Sequence, residues 1–435
     1  MSGVNRPELL SPAGSMESLK AAVNGGCDAV YLGGKQFSAR QYAGNFDLKE
    51  LEDACDYCHL RGVKVYVTVN TVYKDEELAG FLTYIRSLYE MGVDALIMQD
   101  TGAERLVKAH FPDFPLHAST QMTCNSLADV KYWEGRGFDK IVLSRELSLE
   151  EIRHITENTE AEIETFVHGA LCVCYSGQCI MSSMLGGRSG NRGRCAQTCR
   201  LPYTLYKGYD SMAEGYLLSP KDVMTVEILP QLIEAGIASL KIEGRMKSPE
   251  YVAGVTRIYR KYIDLYFENP EEYKVDPADI KALQQLFNRG GFTEGYYTSF
   301  AGREMMSIER PKSWGLKVGI VDKYLPKYKK VTIRTREPLV PGDGLEIWTQ
   351  TEPHVGTNVS KHSKAGEVIT ITLEGDINKN DVVYRTFGKA LQDELKKTYE
   401  KDTRKLPIYG MLRVKEGEPI SLQLWDNGGN SIFVS

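Results

Sequence analysis

No part of the sequence approaches the roughly 18 consecutive apolar residues that a membrane-spanning helix requires, so membrane insertion is not expected. The N-terminal stretch lacks the basic and then apolar plan of a signal peptide, which predicts a cytoplasmic protein. The sequence also lacks an HExxH motif, a GxSxG motif and a Walker loop. Their absence leaves no motif support for a zinc peptidase, a serine hydrolase or a nucleoside-triphosphate-binding enzyme. A net charge of -5 excludes a uniformly basic coat for nucleic acid but permits a local basic patch.

The nine cysteines are distributed unevenly. Four are scattered through the first part of the chain, five crowd between positions 172 and 199, and none follows. A framework of disulfides would be spread more evenly, and a reducing cytoplasm would keep these thiols free. The clustering therefore favours a metal centre.

Residues 1–245 repeat one pattern, in which a short apolar run is followed by a turn and an amphipathic helix. Runs that are apolar almost throughout are typical of parallel strands covered by helices. The eight candidate strands are Glu8–Ser11, Ala29–Leu32, Val63–Asn70, Ala95–Gln99, Leu116–Gln121, Lys140–Leu143, Ala161–His168 and Ser239–Glu243.

Eight strand–helix units predict an α/β fold, a TIM-type (β/α)8 barrel over residues 1–270, with a doubly wound open sheet as the alternative. The rhythm breaks after the seventh strand, where a cysteine-rich insertion covers residues 170–218 and a final helix begins near Asp222. A helical connector is expected over 271–312. Alternating residues from 313 to 435 predict a β-rich module, a small β-barrel or sandwich that ends abruptly and is therefore expected to be truncated.

The metal-ligand candidates have the spacing C-x6-C-x15-C-x3-C and are Cys172, Cys179, Cys195 and Cys199. Four thiolates can bind a tetrahedral zinc ion or a 4Fe–4S cluster. The glycines between them would let the loop wrap closely around a bulky centre. The alternative is that these are free thiols that pack as small apolar groups. Cys174 is left over, either as a substitute ligand or as a core thiol.

A basic segment overlaps the cysteines, because no acidic residue occurs between Glu164 and Asp210. Its cations are Arg188, Arg192, Arg194, Arg200 and Lys207. Such a local cluster suits contact with a phosphate backbone, and it predicts RNA as a partner. The alternative is that the arginines pair with carboxylates elsewhere on the barrel.

Polar side chains occur at the ends of the candidate strands, where barrel enzymes place their active sites. Residues two apart on a strand share a face, which would align His117, Ser119 and Gln121. Lys241, Glu243 and Arg245 would share another face. The alternative to a catalytic role is that Lys241 and Glu243 form an ion pair with a structural role. Further polar residues at or near strand ends are Glu8, Asn70, Gln99, Arg145, Glu164 and His168.

The stretch from Glu164 to Ser182 resembles peptidase family U32, whose signature E-x-F-x2-G-[SA]-[LIVM]-C-x4-G-x-C-x-[LIVM]-S it matches throughout. PELLSPAG near the start, YLGG at 31–34 and KIEGRMK at 241–247 extend the resemblance, which covers about residues 5–390. The resemblance implies a 4Fe–4S protein that hydroxylates RNA with the help of prephenate, or a collagenase-like peptidase. Met224 stands where some members carry a cysteine ligand, so the four ligands would have to close within the insertion or include Cys174.

The wording GGRSGNRGRCAQTCRLPY at 186–203 is most similar to the branch that hydroxylates a cytidine in large-subunit rRNA. Formation of 5-hydroxycytidine in 23S rRNA is therefore expected, with tRNA uridine hydroxylation, a peptidase and a non-catalytic redox sensor or scaffold as alternatives. A protein partner is a further expectation, beside RNA and a small-molecule co-substrate such as prephenate. The predicted catalytic residues are Lys241, Glu243, Arg245, Glu164 and His168. The predicted substrate-binding residues are Arg188, Arg192, Arg194, His117, Gln121 and Asn70.

Overall fold

The computed structural model describes residues 4–299, 302–350 and 352–435. Its first seven strands are parallel, and each pairs with the next one along the chain. A helix follows each of the first six strands before the next strand begins. Their buried, nearly continuous apolar sequences are those that the repeat pattern predicts. The strands are β1 (Glu8–Pro12), β2 (Ala29–Gly33), β3 (Lys64–Val69), β4 (Ala95–Met98), β5 (Leu116–Ala118), β6 (Lys140–Val142) and β7 (Glu162–Ala170).

The insertion after β7 contains a two-stranded hairpin and a short strand that returns to the sheet. The hairpin consists of β8 (Tyr203–Lys207) and β9 (Asp210–Gly215). Strand β10 (Asp222–Met224) pairs antiparallel with β7 and parallel with the short strand β12 (Phe292–Thr293). The expectation that a helix begins near Asp222 is wrong: Asp222 opens β10, and the helix begins at Leu229.

Strand β11 (Ser239–Ile242) closes the barrel, because it pairs in parallel with both β1 and β7. An open doubly wound sheet would leave these strands at its edges, so the prediction of a TIM-type barrel is confirmed. Outside the strands, the helices cover the sheet with their apolar faces. The helices up to the barrel's last are α1 (Met16–Asn24), α2 (Leu48–His59), α3 (Leu78–Glu90), α4 (Thr101–His110), α5 (Leu127–Glu134), α6 (Leu149–Thr156), α7 (Met181–Gly186, in the insertion), α8 (Leu229–Glu234) and α9 (Pro249–Glu268).

Helix starts follow from capping chemistry that is visible in the sequence. The Asp47 carboxylate accepts a hydrogen bond from the backbone amide of Glu50, and the Glu50 carboxylate accepts one from the backbone amide of Asp47. This pair of bonds satisfies amide donors that would otherwise be free at the start of α2. Ser148 caps α6 with the same reciprocal arrangement. Ser248 caps α9, with Pro249 at its first position.

Beyond the barrel, α10 (Pro277–Leu286) and α11 (Lys389–Tyr399) pack against α9. A Cβ on Gly254 of α9 would approach the Leu286 side chain to 2.5 Å and the Leu395 side chain to 3.1 Å, so the three helices pack closely at this glycine. None of the helices in the described residues is long and apolar enough to cross a membrane.

A separate antiparallel β region follows, as the sequence predicts, with a core of its own. Its six-stranded sheet contains β13 (Leu316–Leu325), β14 (Lys330–Thr335), β15 (Gly344–Trp348), β16 (Val355–Asn358), β17 (Val368–Thr372) and β18 (Val382–Phe387). A last three-stranded sheet contains β19 (Ile408–Arg413), β20 (Ser421–Asp426) and β21 (Ser431–Val434).

Candidate functional site at the barrel rim

The cysteine-rich insertion lies across the rim formed by the carboxyl ends of the barrel strands. Its Asn191 carbonyl accepts hydrogen bonds from the Val72 amide (3.2 Å) and the Gln99 side chain (3.1 Å), which follow β3 and β4. Further along the rim, the Ser176 carbonyl accepts a bond from the Thr123 hydroxyl (2.8 Å), beyond β5. Active sites of TIM barrels form at this rim, so the insertion sits where substrates would bind.

Three glycines let the insertion approach the barrel closely. Gly169 has a φ of +110°, and a Cβ there would lie 2.6 Å from the Glu243 carbonyl oxygen. Gly177 has a φ of +80°, and its Cβ would lie 2.3 Å from the carbonyl oxygen of Gln121. Gly193 has a φ of +76°, and a Cβ there would lie 2.5 Å from the carbonyl oxygen of Ser38. Gly169 and Gly177 are the two glycines of the matched signature, so the signature encodes the seating of the loop on the rim.

Glu243, just past the end of β11, is the centre of a cationic cradle at the rim. Its carboxylate oxygen Oε2 lies 2.9 Å from Arg145 and 3.4 Å from Arg40. Burial alone would raise the pKa of Glu243, but the charges of Arg40 and Arg145 outweigh it and hold the pKa below its usual value. The guanidinium of Arg145 also lies 3.8 Å from the Phe166 ring centroid, which fixes its orientation.

Arg245 adds a third cation to this cradle, and it forms no ion pair with a carboxylate in the part of the chain that the structure describes. Its guanidinium donates to the hydroxyls of Ser38 and Thr68, each at 2.9 Å, and to the Asn45 amide oxygen at 2.6 Å. Burial lowers the pKa of Arg245 to about 10, which leaves it charged at neutral pH. A Cβ on Gly33 would lie 2.2 Å from this guanidinium, so the YLGG segment makes room for it. Three arginines around one glutamate leave a net positive charge that suits a small anion.

Below the cradle, the barrel interior holds a second, neutralised network. Lys241 binds Glu164 at 2.7 Å, and Ser239 donates to the same carboxylate at 2.9 Å. Deeper still, Lys140 binds Glu8 at 2.7 Å. The interpretation of Lys241 and Glu243 as an ion pair is wrong, because each has a different partner. Since Glu164 is fully buried and its bonds are satisfied, the structure gives it a clear part in holding β7 against β11.

Both predicted histidines are buried as neutral rings. His168 packs between Tyr251, Tyr259 and Phe292, and burial lowers its pKa to about 3. His117 packs edge-on against Tyr66 inside the barrel, and burial holds its pKa well below the usual value. The His168 ring therefore lies against α9 and β12, and the His117 ring lies inside the barrel. No observation tests the catalytic role predicted for His168 or the substrate contact predicted for His117.

The expected alignment of His117, Ser119 and Gln121 on one strand is wrong, because β5 ends at Ala118. Ser119 instead caps a single 3₁₀ turn over Thr120–Met122. Asn70 ties the neighbouring loops together: it accepts a bond from the Ala39 amide (3.1 Å) and donates to Ser119 (3.3 Å). The buried Oε1 of Gln121 has no hydrogen-bond partner in the described part of the chain.

The five clustered cysteines are free thiols on the insertion. Cys172 and Cys195 are exposed, whereas the other three are half-buried. Burial raises the pKa of Cys199, Arg200 lowers it, and the neighbouring thiols Cys172, Cys195 and Cys179 raise it again. The charge of Glu243 raises the pKa of Arg40 against the effect of burial, and Cys195 and Cys172 contribute in the same direction, so these thiols lie within electrostatic reach of the cradle.

Whether these thiols fit a cofactor can be judged from the donor set. Within the described ranges, no group of three or more His, Cys, Asp or Glu side chains is arranged to hold a metal ion. The chemistry of the set is nevertheless that of a four-thiolate centre, with soft sulfur donors and no acidic residue among them. Donors to sulfur are present too: the Gln197 amide lies 3.4 Å and the Ser182 hydroxyl 3.9 Å from the Cys195 sulfur. Hydrogen bonds of this kind tune iron–sulfur clusters. The donor set is therefore suited to such a cluster in its chemistry.

The arginines of the insertion divide into two kinds. Arg192 forms a two-pronged ion pair with Glu77 (2.7 and 3.0 Å), as the alternative of pairing with a barrel carboxylate expects, so it fastens the insertion to the barrel. No observation tests the substrate contact predicted for it. Arg188 and Arg194 are exposed, and both donate to uncharged acceptors. The Arg188 side chain donates to the backbone carbonyl of Arg194, and the Arg194 side chain donates to the side-chain oxygen of Gln41. Arg200 is partly buried and binds the Ser219 hydroxyl (2.7 Å) and the Leu171 carbonyl (3.0 Å).

Sequence reasoning missed Arg40, which shares Glu243 with Arg145. It lies in the loop between β2 and α2, where no periodicity or motif marks a residue as functional. The one available signal is its position just after a barrel strand.

Comparison with known proteins agrees with the signature and the fold. A family model described as "Peptidase family U32" matches residues 14–307. The chain belongs to this family. The matched region runs from the loop after β1 through the barrel, the insertion and α10, so it includes the cradle and all five clustered cysteines.

Relatives within the family carry names from two kinds of chemistry. "tRNA hydroxylation protein P1" of Bacillus subtilis is 37% identical over 79% of this chain and 83% of that protein. "23S rRNA 5-hydroxycytidine C2501 synthase" of Escherichia coli is 40% identical over 83% of this chain. This chain spans only 55% of the length of that protein. "Collagenase" of Porphyromonas gingivalis is 36% identical over 68% of this chain and 74% of that protein.

Proposed function

We propose that this protein is an iron–sulfur-dependent RNA hydroxylation enzyme that forms 5-hydroxycytidine in 23S rRNA. The observation that carries the proposal is the position of the cysteine-rich, acid-free insertion across the barrel rim. Arg145, which shares Glu243 with Arg40 in the cradle, donates to the Ala170 carbonyl where this insertion begins. The 40% identity to the E. coli 5-hydroxycytidine synthase supports rRNA as the substrate. A tRNA substrate, as in the name of the B. subtilis relative, is the nearest alternative.

Cys172, Cys179, Cys195 and Cys199 are the proposed ligands of a 4Fe–4S cluster, with Cys174 as the substitute. Such a cluster supplies one-electron transfer when it is bound. The protein's own part is to hold the thiols at the rim, through Gly177 and Gly193, and to direct donors from Gln197 and Ser182 towards the Cys195 sulfur.

The cradle is proposed to bind the small-molecule co-substrate, which the family resemblance implies is prephenate. Prephenate carries two carboxylates, and Arg40, Arg145 and Arg245 together exceed the single charge of Glu243. Guanidinium groups bind carboxylates through paired, charge-assisted hydrogen bonds. Glu243 would then orient the arginines and exchange part of their bonding with the incoming anion.

Nucleoside mass spectrometry of RNA from a strain without the gene tests this function. We expect one hydroxylated pyrimidine to disappear, 5-hydroxycytidine from large-subunit rRNA, and to return when the gene is restored. Loss of a hydroxylated uridine from tRNA instead would move the activity to the alternative RNA. Unchanged nucleosides in both RNA classes would reject RNA hydroxylation.

A peptidase is the second candidate, favoured by the 36% identity to the P. gingivalis protein named a collagenase. Its test is the cleavage of gelatin by purified protein that lacks any cluster. Cleavage that persists in Cys179→Ala and is lost in Glu243→Gln would support a hydrolytic rim site, whereas intact gelatin would reject it.

A further inference from the structure

One exposed surface beside the cradle combines an aromatic ring with arginines that form no ion pair with a carboxylate among the described residues. Tyr42, in the loop between β2 and α2, is 59% exposed. The Arg188 guanidinium from the insertion lies 5.2 Å from the centroid of its ring. Arg194 binds Gln41, next to Tyr42, at 2.9 Å. Two separate segments of the chain therefore build this surface together.

The connection between the two segments is fixed by the backbone as well as by side chains. The Gln41 amide donates to the Gly193 carbonyl at 3.4 Å, beside the side-chain bond from Arg194 to Gln41. Within the insertion, the Arg188 side chain donates to the Arg194 carbonyl at 3.2 Å, which holds the two arginines together. In the described residues, no ion pair with Asp or Glu is formed by Arg188 or Arg194. Their charge is thus available to a ligand, in contrast to that of Arg192.

The surface leads directly to the candidate site. Arg40, two residues before Tyr42, reaches Glu243 in the cradle. A ligand held by Tyr42 would therefore continue along one loop into the rim. Aromatic rings beside unneutralised arginines are the means by which proteins hold unpaired nucleotides, with the ring stacking on a base and the cations following the phosphates.

We propose that Tyr42 is a stacking platform for an unpaired RNA base next to the nucleotide being modified, with Arg188 and Arg194 binding the flanking phosphates. This inference rests on the proposed RNA substrate and adds the residues that position it. Tyr42 is a positioning residue, because it contacts a neighbouring base rather than the reacting atoms.

The chain offers a matched control in Tyr132 on α5. This tyrosine is 58% exposed and has the Arg136 guanidinium 5.9 Å from its ring centroid. Arg136, however, is ion-paired with Glu104, so this second tyrosine–arginine pair carries little free charge. It resembles the Tyr42 surface in geometry and differs from it in electrostatics and in distance from the rim.

The test measures the affinity of the full-length protein for a short unstructured pyrimidine oligoribonucleotide with a fluorescent cytidine analogue. We expect Tyr42→Ala to weaken binding by about 5- to 150-fold, the range contributed by one stacked base, with an unchanged salt dependence. Tyr42→Phe should retain both the affinity and the quenching of the analogue that stacking causes. Tyr132→Ala should bind as the wild type does.

Failure of this inference is distinguishable from failure of the proposed function. If the wild type binds and modifies RNA but Tyr42→Ala matches Tyr132→Ala in affinity and quenching, the platform is wrong and the RNA function stands. If Tyr42→Phe loses affinity as Tyr42→Ala does, the hydroxyl rather than the ring is responsible, which also overturns stacking. A wild type that binds no RNA and leaves cellular nucleosides unchanged overturns both.

Discussion

Glu243 and Arg145 form an ion pair of 2.9 Å across the barrel mouth, although 98 residues separate them in the sequence. Arg145 also donates to the Ala170 carbonyl at 2.7 Å, where β7 gives way to the cysteine-rich insertion. The pair therefore connects the end of β11 with the start of the insertion. It links the cradle to the proposed cluster loop in a single unit.

Glu243→Gln should abolish hydroxylation while leaving the fold and the cysteine loop in place. The glutamine can still accept a bond from Arg145, but it no longer compensates the charges of Arg40 and Arg145. We expect a loss of stability of about 1.5–3 kcal/mol, the size of a bond to a charged group, measured by urea unfolding. Modification is measured by nucleoside mass spectrometry after complementation.

Glu104→Gln is the control for that substitution, because Glu104 is a buried partner of Arg136 on the outside of the barrel. It should lose a similar stability and retain modification. If Glu243→Gln modifies RNA as well as Glu104→Gln does, Glu243 has a structural role only.

Purified under anaerobic conditions, the protein should be brown and contain about four iron and four sulfide per chain, as clusters bound by four cysteines do. Cys179→Ala should lose most of the iron, and Cys58→Ala, which alters a buried thiol of α2, should not. Cys174→Ala should lower the iron content if Cys174 is a ligand of the cluster and should leave it unchanged if Cys174 is not. Colourless protein with stoichiometric zinc after iron-replete anaerobic expression would reject the cluster.

The two kinds of arginine in the insertion should respond differently to charge reversal. Arg188→Glu removes an unneutralised cation, so RNA affinity should fall and its log–log salt dependence should flatten by about 0.7–0.9 for each phosphate that is no longer neutralised, with little change in Tm. Arg192→Glu places a second carboxylate opposite Glu77 and should lower Tm. Equal thermal stability of the two variants would contradict the fastening role of Arg192.

Stability should decrease as the pH falls below about 6.5, because His168 is neutral in the fold and its pKa there is about 3. The unfolded chain binds a proton in this window and the folded chain does not, so each such histidine costs up to about 1.4 kcal/mol per pH unit. In urea unfolding between pH 7 and pH 5, His168→Gln should show a shallower pH dependence than the wild type. An identical slope would mean that His168 titrates normally.

Local chemistry explains how much of the fold the sequence predicts. Apolar runs and capping residues such as Asp47 and Ser148 determine structure through contacts with residues close by in the sequence. The strands, the helix starts and the barrel class can therefore be predicted from the sequence. Strand β10 escaped prediction because its pairing with β7 is long-range, and because Asp222 is held there by an ion pair with Arg289. Helix α11 escaped for a similar reason, since its Leu395 packs near Gly254 of α9.

The candidate site was predictable only in part. The cysteine spacing and the KIEGR run mark Glu243 and Arg245 as residues of interest, but they do not reveal their partners. Strand alternation placed Lys241 beside Glu243, whereas barrel closure brings Lys241 against Glu164 on β7. Arg40 acquires its role only when the loop after β2 folds over the rim.

The most direct test of the central claim is complementation of a strain that lacks the gene, followed by measurement of 5-hydroxycytidine in its large-subunit rRNA. The wild type and Cys58→Ala should restore the modified nucleoside, whereas Cys179→Ala, expressed at the same level, should not. Full restoration by Cys179→Ala would contradict a cluster-dependent hydroxylation, and failure of the wild type to restore any hydroxylated pyrimidine in rRNA or tRNA would contradict the RNA function itself.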